Sequence, residues 1–171
     1  DHGIGKVMAT LRASGLDENT LVIFSSDNGG QISVKANNGA TRDGKGTMYE
    51  GGIKVATCAV WPGKIDAGSE TDRIGLTMDL FPTVCEAASA EVPSQIDGRS
   101  LLKTLMGQTQ APEARDLFFI RREGGDNFGG LTIRALRRGP WKLVQNSPYG
   151  QVELFNLSND PLEKHDLARQ K

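Results

Sequence analysis

Residues 26–52 carry seven glycines and no hydrophobic periodicity, and they separate two short apolar runs, Thr20–Phe24 and Ile53–Trp61. An irregular excursion of that length is uncommon inside a compact domain and is usually functional or disordered. It constrains the chain more than any other feature, because both flanking runs must find a layer to join. The first run, Thr-Leu-Val-Ile-Phe, is apolar on both faces and the second is of the same buried kind, the pattern of interior parallel strands covered by helices. Pro62-Gly63 closes the second run. Upstream, Ile4, Val7, Met8 and Leu11 repeat at i, i+3, i+4 and i+7, which predicts an amphipathic helix, and Gly15 supplies a left-handed stop. Helix, strand, long loop and strand together predict an α/β layer architecture.

Downstream, Leu80, Phe81, Val84, Ala87 and Ala88 have helical spacing, with Asp79 as the expected N-cap and Pro82 in the first turn, where its missing N–H is harmless. Leu101, Leu102, Leu105 and Met106 with Gly107 behind them predict another short helix. From Asp116 onward the texture changes. Leu117–Ile120, Leu131–Leu136, Trp141–Val144 and Val152–Phe155 are short strands split by Gly, Asn and Pro turns, which predicts an antiparallel sheet. A boundary is therefore expected near 108–115, dividing residues 1–110, an α/β core, from residues 111–171, a small antiparallel subdomain.

Twenty Lys plus Arg stand against 21 Asp plus Glu, for a formal charge of −1. That balance excludes the strongly basic surface of a nucleic-acid binder or polybasic membrane adaptor. Hydrophobic residues at 37% suffice for a core. The longest apolar run, Val55–Trp61 broken by Thr57, falls far short of the roughly 20 residues of a transmembrane helix. Cys58 and Cys85 lie in apolar stretches without C-x-x-C spacing and read as buried small hydrophobes. The chain opens at Asp1 with no initiator Met and no leader-like segment, and is expected to be a piece of something longer.

Asp27-Asn28 lies just past the carboxyl end of the first apolar run, where open α/β sheets place their ligand sites. A carboxylate beside an amide carbonyl offers two hard oxygens, suited to Ca²⁺ or Mg²⁺ and not to zinc. The dipeptide alone also fits an ordinary strand-ending turn. Gly39-Ala-Thr-Arg-Asp-Gly44-Lys45-Gly46 invites comparison with a phosphate-binding loop, but Gly46 stands where that motif needs a hydroxyl, and no strand leads into Gly39. What remains is Lys45, a point charge between two glycines that permit close approach to an anion. His2 and His165 sit in polar, terminal surroundings and are not expected to bind metal. Arg121, Arg122, Arg134, Arg137 and Arg138 read as a solvated strand face.

Three blocks in one order, Asn19-Thr-Leu-Val-Ile-Phe-Ser-Ser-Asp27-Asn28-Gly-Gly, Gly44-Lys45-Gly-Thr-Met-Tyr-Glu50-Gly-Gly-Ile and Trp61-Pro-Gly-Lys-Ile65, closely resemble the sulfatase family. The similarity continues through Asp79-Leu-Phe-Pro-Thr83, Asp97-Gly-Arg-Ser100 and Leu154-Phe-Asn-Leu-Ser-Asn-Asp-Pro161. The resemblance implies the C-terminal part of an alkaline-phosphatase-like α/β sandwich followed by a small antiparallel sheet with a helix. It also implies that Asp27 and Asn28 bind a catalytic Ca²⁺ and that Lys45 contacts the sulfate group. Phosphatase relatives carry Asp-His at the strand end for zinc, so Asn28 favours sulfate-ester over zinc-dependent phosphate mono- or diester hydrolysis. A non-catalytic interaction module is the remaining alternative.

Sulfatases use a formylglycine made from a Cys/Ser-x-Pro/Ala-x-Arg motif. Neither Cys58-Ala-Val nor Cys85-Glu-Ala-Ala-Ser continues that way. The nucleophile, further metal carboxylates and the segments that complete the sheet are thus expected upstream of Asp1, and this chain alone is expected to be inactive. By resemblance, the partner is a sulfated small molecule or sulfated glycan, and the setting extracellular, periplasmic or lysosomal.

Overall fold

The computed structural model describes residues 2–108, 115–122 and 129–169. It forms two compact units, one built from Asp1–Ser25 and Thr57–Ala111, the other from Ser26–Ala56 and Pro112–Lys171.

The first unit begins with α1 (His2–Ala13), which ends at Gly15 with φ +64°. The left-handed stop thus sits where the sequence placed it. Strand β1 (Val22–Ser25) follows and pairs with β2 (Thr57–Val60) in the register Val22↔Val60 and Ser25↔Thr57. The pairing is antiparallel, which corrects the expectation of parallel neighbours. A run apolar on both faces states how it can be covered but not which way its partner runs, and a chain that returns beside itself needs no crossover helix. The Ser25 and Thr57 hydroxyls meet at 2.8 Å across the pair. The strands are also shorter than predicted, and Phe24 and Val60 remain 48% and 45% exposed.

A 3-10 turn, Thr77–Asp79, leads into α3 (Leu80–Ala87), and α4 (Leu102–Leu105) is stopped at Gly107 with φ +71°. Asp79 does not cap α3. Its fully buried carboxylate accepts instead from the Leu76 N–H and the Arg99 N–H, both at 2.8 Å. Because the 3-10 turn already supplies helical backbone ahead of α3, Asp79 itself is in the helical region and its side chain points back over that turn. Thr83 continues the link, donating to the Asp79 carbonyl at 2.6 Å and accepting from the Leu101 N–H at 2.9 Å. Cys58 is exposed and Cys85 half-buried, both as free thiols, so the expectation of two buried cysteines is corrected. Cys58 shares the uncovered β1–β2 pair, which explains its exposure.

The second unit carries a four-stranded antiparallel meander, β3 (Asp116–Arg122), β4 (Thr132–Arg138), β5 (Trp141–Gln145) and β6 (Glu153–Asn156). Strand alternation aims Leu117, Ile133, Ala135, Val144 and Phe155 at one face, where all are buried. Met48 and Tyr49 from the glycine-rich segment complete that core, and the short helix α2 (Glu50–Ile53) follows them. Ile53 therefore closes a helix instead of opening a strand. The opposite face runs Phe118, Leu136, Leu143 and Leu154 in one row across the four strands. The expected boundary near 108–115 falls largely outside the described residues. Among the described residues no helix is long and apolar enough to cross a membrane.

Candidate functional site

All three candidate residues, Asp27, Asn28 and Lys45, lie in the second unit. The Ser26 hydroxyl donates to the Asn28 carbonyl at 2.8 Å, so Asp27 and Asn28 stand on a hydrogen-bonded bend. Asp27 is exposed and Asn28 half-buried. The Gly29 N–H donates to the Gly52 carbonyl at 2.9 Å, and the Lys45 N–H donates to the Gly30 carbonyl at 3.0 Å. These two bonds bring the Asp27-Asn28-Gly29-Gly30 backbone alongside both Gly44-Lys45 and Gly51-Gly52. Glycine is needed for that approach: a Cβ on Gly29 would run into the Gly51 carbonyl, and one on Gly44 into the Gly30 carbonyl.

Asn38, which the sequence did not single out, fastens the two segments. Its Oδ1 accepts from the Gly30 N–H at 2.7 Å, and its Nδ2 donates to the carbonyls of Gly30 at 2.9 Å and Asp43 at 3.0 Å. Asp43 holds the left-handed conformation at φ +62°, and its carboxylate accepts from the Gly44 N–H at 3.0 Å. Thr47 closes the turn by donating its N–H to the Gly44 carbonyl at 3.1 Å. The N–H groups of Gly44, Lys45 and Thr47 are therefore all engaged by the chain itself. A phosphate-cradling loop presents such groups to the ligand, so the segment is not one; the Lys45 side chain is exposed.

The flanks of the Lys45 loop are tied to the sheet by charged and aromatic groups. Arg42 stacks its guanidinium 3.6 Å from the centre of the Tyr49 ring and donates to the Glu163 carbonyl at 2.6 Å. The Tyr49 hydroxyl bonds the Glu153 carboxylate. Burial, and then that bond, push the Tyr49 phenol well above its ordinary range, so it stays a donor. Arg121 bonds the Gly46 carbonyl, and Asn146 Oδ1 accepts from the Met48 N–H at 2.7 Å. The Lys142 ammonium, wholly buried, lies 2.9 Å from Glu50 Oε1 and 2.8 Å from Glu163 Oε1. Glu163 Oε2 accepts from the Glu50 N–H at 2.7 Å, and Arg137 reaches Glu50 Oε2 at 3.2 Å. Burial raises the Glu163 carboxyl above its usual range, opposed by the Lys142 ammonium.

One signal in the sequence could have found this network. Lys142 has the same strand parity as the core residue Val144, and a lysine on the inward face must be paired. The arginines read as a solvated face are each engaged: Arg134 with Gln145, Arg138 with Asp116, Arg122 with the Gly130 carbonyl, and Arg121 and Arg137 as above. A groove of about 420 Å³ beside Arg42, Lys164 and Asp166 contains none of the three candidate residues.

Asp27 and Asn28 present a carboxylate and an amide oxygen, a donor set that suits a hard divalent cation but is two of the six to eight oxygens that Ca²⁺ takes. Among the described residues no group of three or more His, Cys, Asp or Glu side chains could hold a metal ion. His2 and His165 are both exposed, and Asp1 lies outside the described residues.

The sulfatase family model matches residues 1–90. The steryl-sulfatase of Mus musculus is 38% identical over 203 residues, a match that covers 98% of this chain and 32% of the relative. Arylsulfatase A of Homo sapiens is 32% identical over 189 residues, covering 98% of this chain and 37% of the relative. The crystal structure of Ps i-CgsB in complex with k-i-k-neocarrahexaose superposes with a TM-score of 0.85 at 30% identity, over 99% of this chain and 37% of that one. The chain thus spans about a third of the length of these relatives. The architecture is the mixed α/β, alkaline-phosphatase-like fold of the family's solved structures. With residues 27–30 and 44–53 meeting at one glycine-lined junction and more than half of its length matched by the family model, the chain belongs to the sulfatase family.

Proposed function

We propose that the protein to which this chain belongs is a sulfuric ester hydrolase, converting R–O–SO₃⁻ and water to R–OH and sulfate, and that Asp27, Asn28 and Lys45 form part of its reaction centre. The single observation that carries this reading is the Lys45 N–H to Gly30 carbonyl bond at 3.0 Å, which sets the lysine backbone beside the Asp27-Asn28 bend. Family membership supplies the chemistry to which these groups are suited.

Asp27 contributes a carboxylate oxygen and Asn28 an amide oxygen to Ca²⁺, the remaining donors coming from residues outside this chain. When bound, the cation supplies positive charge to oxygens that gain negative charge in the transition state. Lys45 does the same through its ammonium from the loop side. Its neighbours Gly44 and Gly46 carry no side chain that would keep a sulfate oxygen at a distance. The formylglycine nucleophile is assigned to a segment outside these 171 residues, since no Cys or Ser here begins the required motif. The substrate class is a sulfated small molecule or a sulfated glycan.

The test is the full-length protein assayed on a chromogenic sulfate ester with and without a calcium chelator. Activity that falls on chelation, returns with Ca²⁺ and drops on Lys45→Ala supports the assignment. Two tightly bound zinc ions with turnover of phosphate esters alone would replace it with the phosphohydrolase alternative, which no feature of the Asp27-Asn28 donor set favours.

A further inference from the structure

Lys142, Glu50 and Glu163 bury three charges where hydrophobic residues of similar volume would give equal or greater stability. Removing a carboxylate or ammonium from water costs several kcal/mol even after relaxation, and the mutual attraction at 2.8–2.9 Å only offsets it. Glu163 adds a second expense at the same point: its backbone sits at φ +52°, a conformation that non-glycine residues seldom adopt. Strain and buried charge therefore meet at the one carboxylate that accepts the Glu50 N–H.

That N–H belongs to the loop that carries Lys45. The Gly51 N–H donates to the Arg42 carbonyl at 2.9 Å, closing residues 42–51 into a ring with Lys45 on its exposed side. The Glu163 residue holds the ring at both ends of that closure. Its carbonyl takes the Arg42 guanidinium and its carboxylate takes the Glu50 N–H. Lys142 then fixes the Glu163 carboxylate from the far side, and the same ammonium reaches the Glu50 side chain. No atom of the triad needs to meet the substrate for this arrangement to matter. A lysine on a mobile loop must be ordered each time it engages an anion, whereas one on a ring fixed in advance is not.

Granted the sulfate contact proposed above for Lys45, on which this inference rests, we propose that the Lys142–Glu50–Glu163 triad is a positioning device for Lys45, holding its loop in the geometry that receives the anion. Glu163 is the central positioning residue. Arg42 is the outer one.

A double-mutant cycle in the full-length protein separates positioning from general destabilisation, because only residues acting on a common element couple. Glu163→Gln, Lys45→Ala and the double variant are compared by kcat/KM on a chromogenic sulfate ester, after circular dichroism establishes folding and well below each thermal midpoint. The expected result is a loss of about tenfold or more for Glu163→Gln in the wild-type background. In the Lys45→Ala background the further loss should be under about twofold. An unchanged rate for Glu163→Gln, or an equal loss in both backgrounds, would overturn the positioning role while leaving Lys45 in the site. An unchanged rate for Lys45→Ala would instead remove the functional reading itself. Should Glu163→Gln not fold, the same cycle is run with Arg42→Lys, whose side chain is 36% exposed and whose replacement keeps the charge. Arg42→Lys is then held to the same coupled loss, and an uncoupled or absent effect counts against the proposal.

Discussion

The Asn38 carboxamide pairs with both backbone groups of Gly30, accepting from its N–H at 2.7 Å and donating to its carbonyl at 2.9 Å. A side chain thereby does for one residue what a neighbouring strand would do. The Gly30 carbonyl is also the acceptor of the Lys45 N–H, so Asn38, Gly30 and Lys45 share one hydrogen-bonded centre. Replacing Asn38 by Ala strips partners from half-buried backbone groups, which typically destabilises by about 1–3 kcal/mol. Hydrogen exchange should speed at the Gly30 and Lys45 amides before it does in strands β4 and β5. Unaltered exchange at those two amides would refute the shared centre.

Lys45→Ala in the full-length protein should lower kcat by about 100-fold or more if its ammonium stabilises charge that develops at the sulfate oxygens. The fold should survive, because the exposed Lys45 side chain has no part in the core and its backbone bond to Gly30 remains. Steady-state kinetics with a thermal melt on the same preparation tests both halves of the statement.

Lys142→Met should be far more damaging to stability than an ordinary surface lysine replacement. It leaves Glu50 and Glu163 as neighbouring carboxylates in the interior without their shared ammonium, and breaking a buried pair from one side costs about 3–5 kcal/mol. Urea unfolding is the direct measurement. A loss below about 1 kcal/mol would mean that Arg137 alone suffices to balance Glu50.

Two glycine substitutions should move stability in opposite directions. Gly29→Ala puts a methyl group against the Gly51 carbonyl, a backbone atom that cannot rotate away, and should prevent the junction from closing. Gly5→Ala lies in α1 with nothing near the added methyl and should stabilise by about 1 kcal/mol through helix propensity. Thermal midpoints of the two variants are expected to diverge accordingly.

Asp166 gives the β6 edge an acid-sensitive fastening. Its carboxylate accepts from the N–H groups of Leu154 at 3.0 Å and Ala168 at 2.9 Å, and those bonds hold its pKa below the ordinary 3.8. A depressed pKa contributes stability that is present above the unfolded value and lost as pH falls through the folded one. Asp166→Asn should therefore lower the thermal midpoint at pH 7, and the gap to the wild type should narrow progressively below pH 3.8. A gap independent of pH would show that ionisation of Asp166 is not involved.

Helix α1, the stop at Gly15 and the four C-terminal strands were legible because each rests on local periodicity and punctuation. The direction of β2 was not, since the residues of Thr57–Val60 record the faces of a strand and carry no mark of its neighbour's sense. Asp79 misled for a related reason: its type suits a cap, but a 3-10 turn ahead of α3 moved its backbone into the helix and freed the carboxylate to reach Arg99. Asp27 and Asn28 were singled out by their place just past an apolar run and Lys45 by its flanking glycines, and their roles belong to the functional proposal. The Arg42–Glu163 and Lys142–Glu50 links span 121 and 92 residues, and no local pattern announces contacts of that reach. Parity on β5 was the one available clue, and it pointed to Lys142.

The glycine-rich segment lies between two strands of the first unit in the chain, yet Ser26–Ala56 belongs structurally with Pro112–Lys171. For anyone recombining sulfatases, that placement sets the permissible crossovers. A chimera that exchanges only the C-terminal sheet separates Arg42 and Glu50 from the Glu163 and Lys142 with which they were matched. A graft that carries both stretches from one parent transfers the mated halves together, so breakpoints near 25, 57 and 112 should yield folded hybrids where a single splice does not.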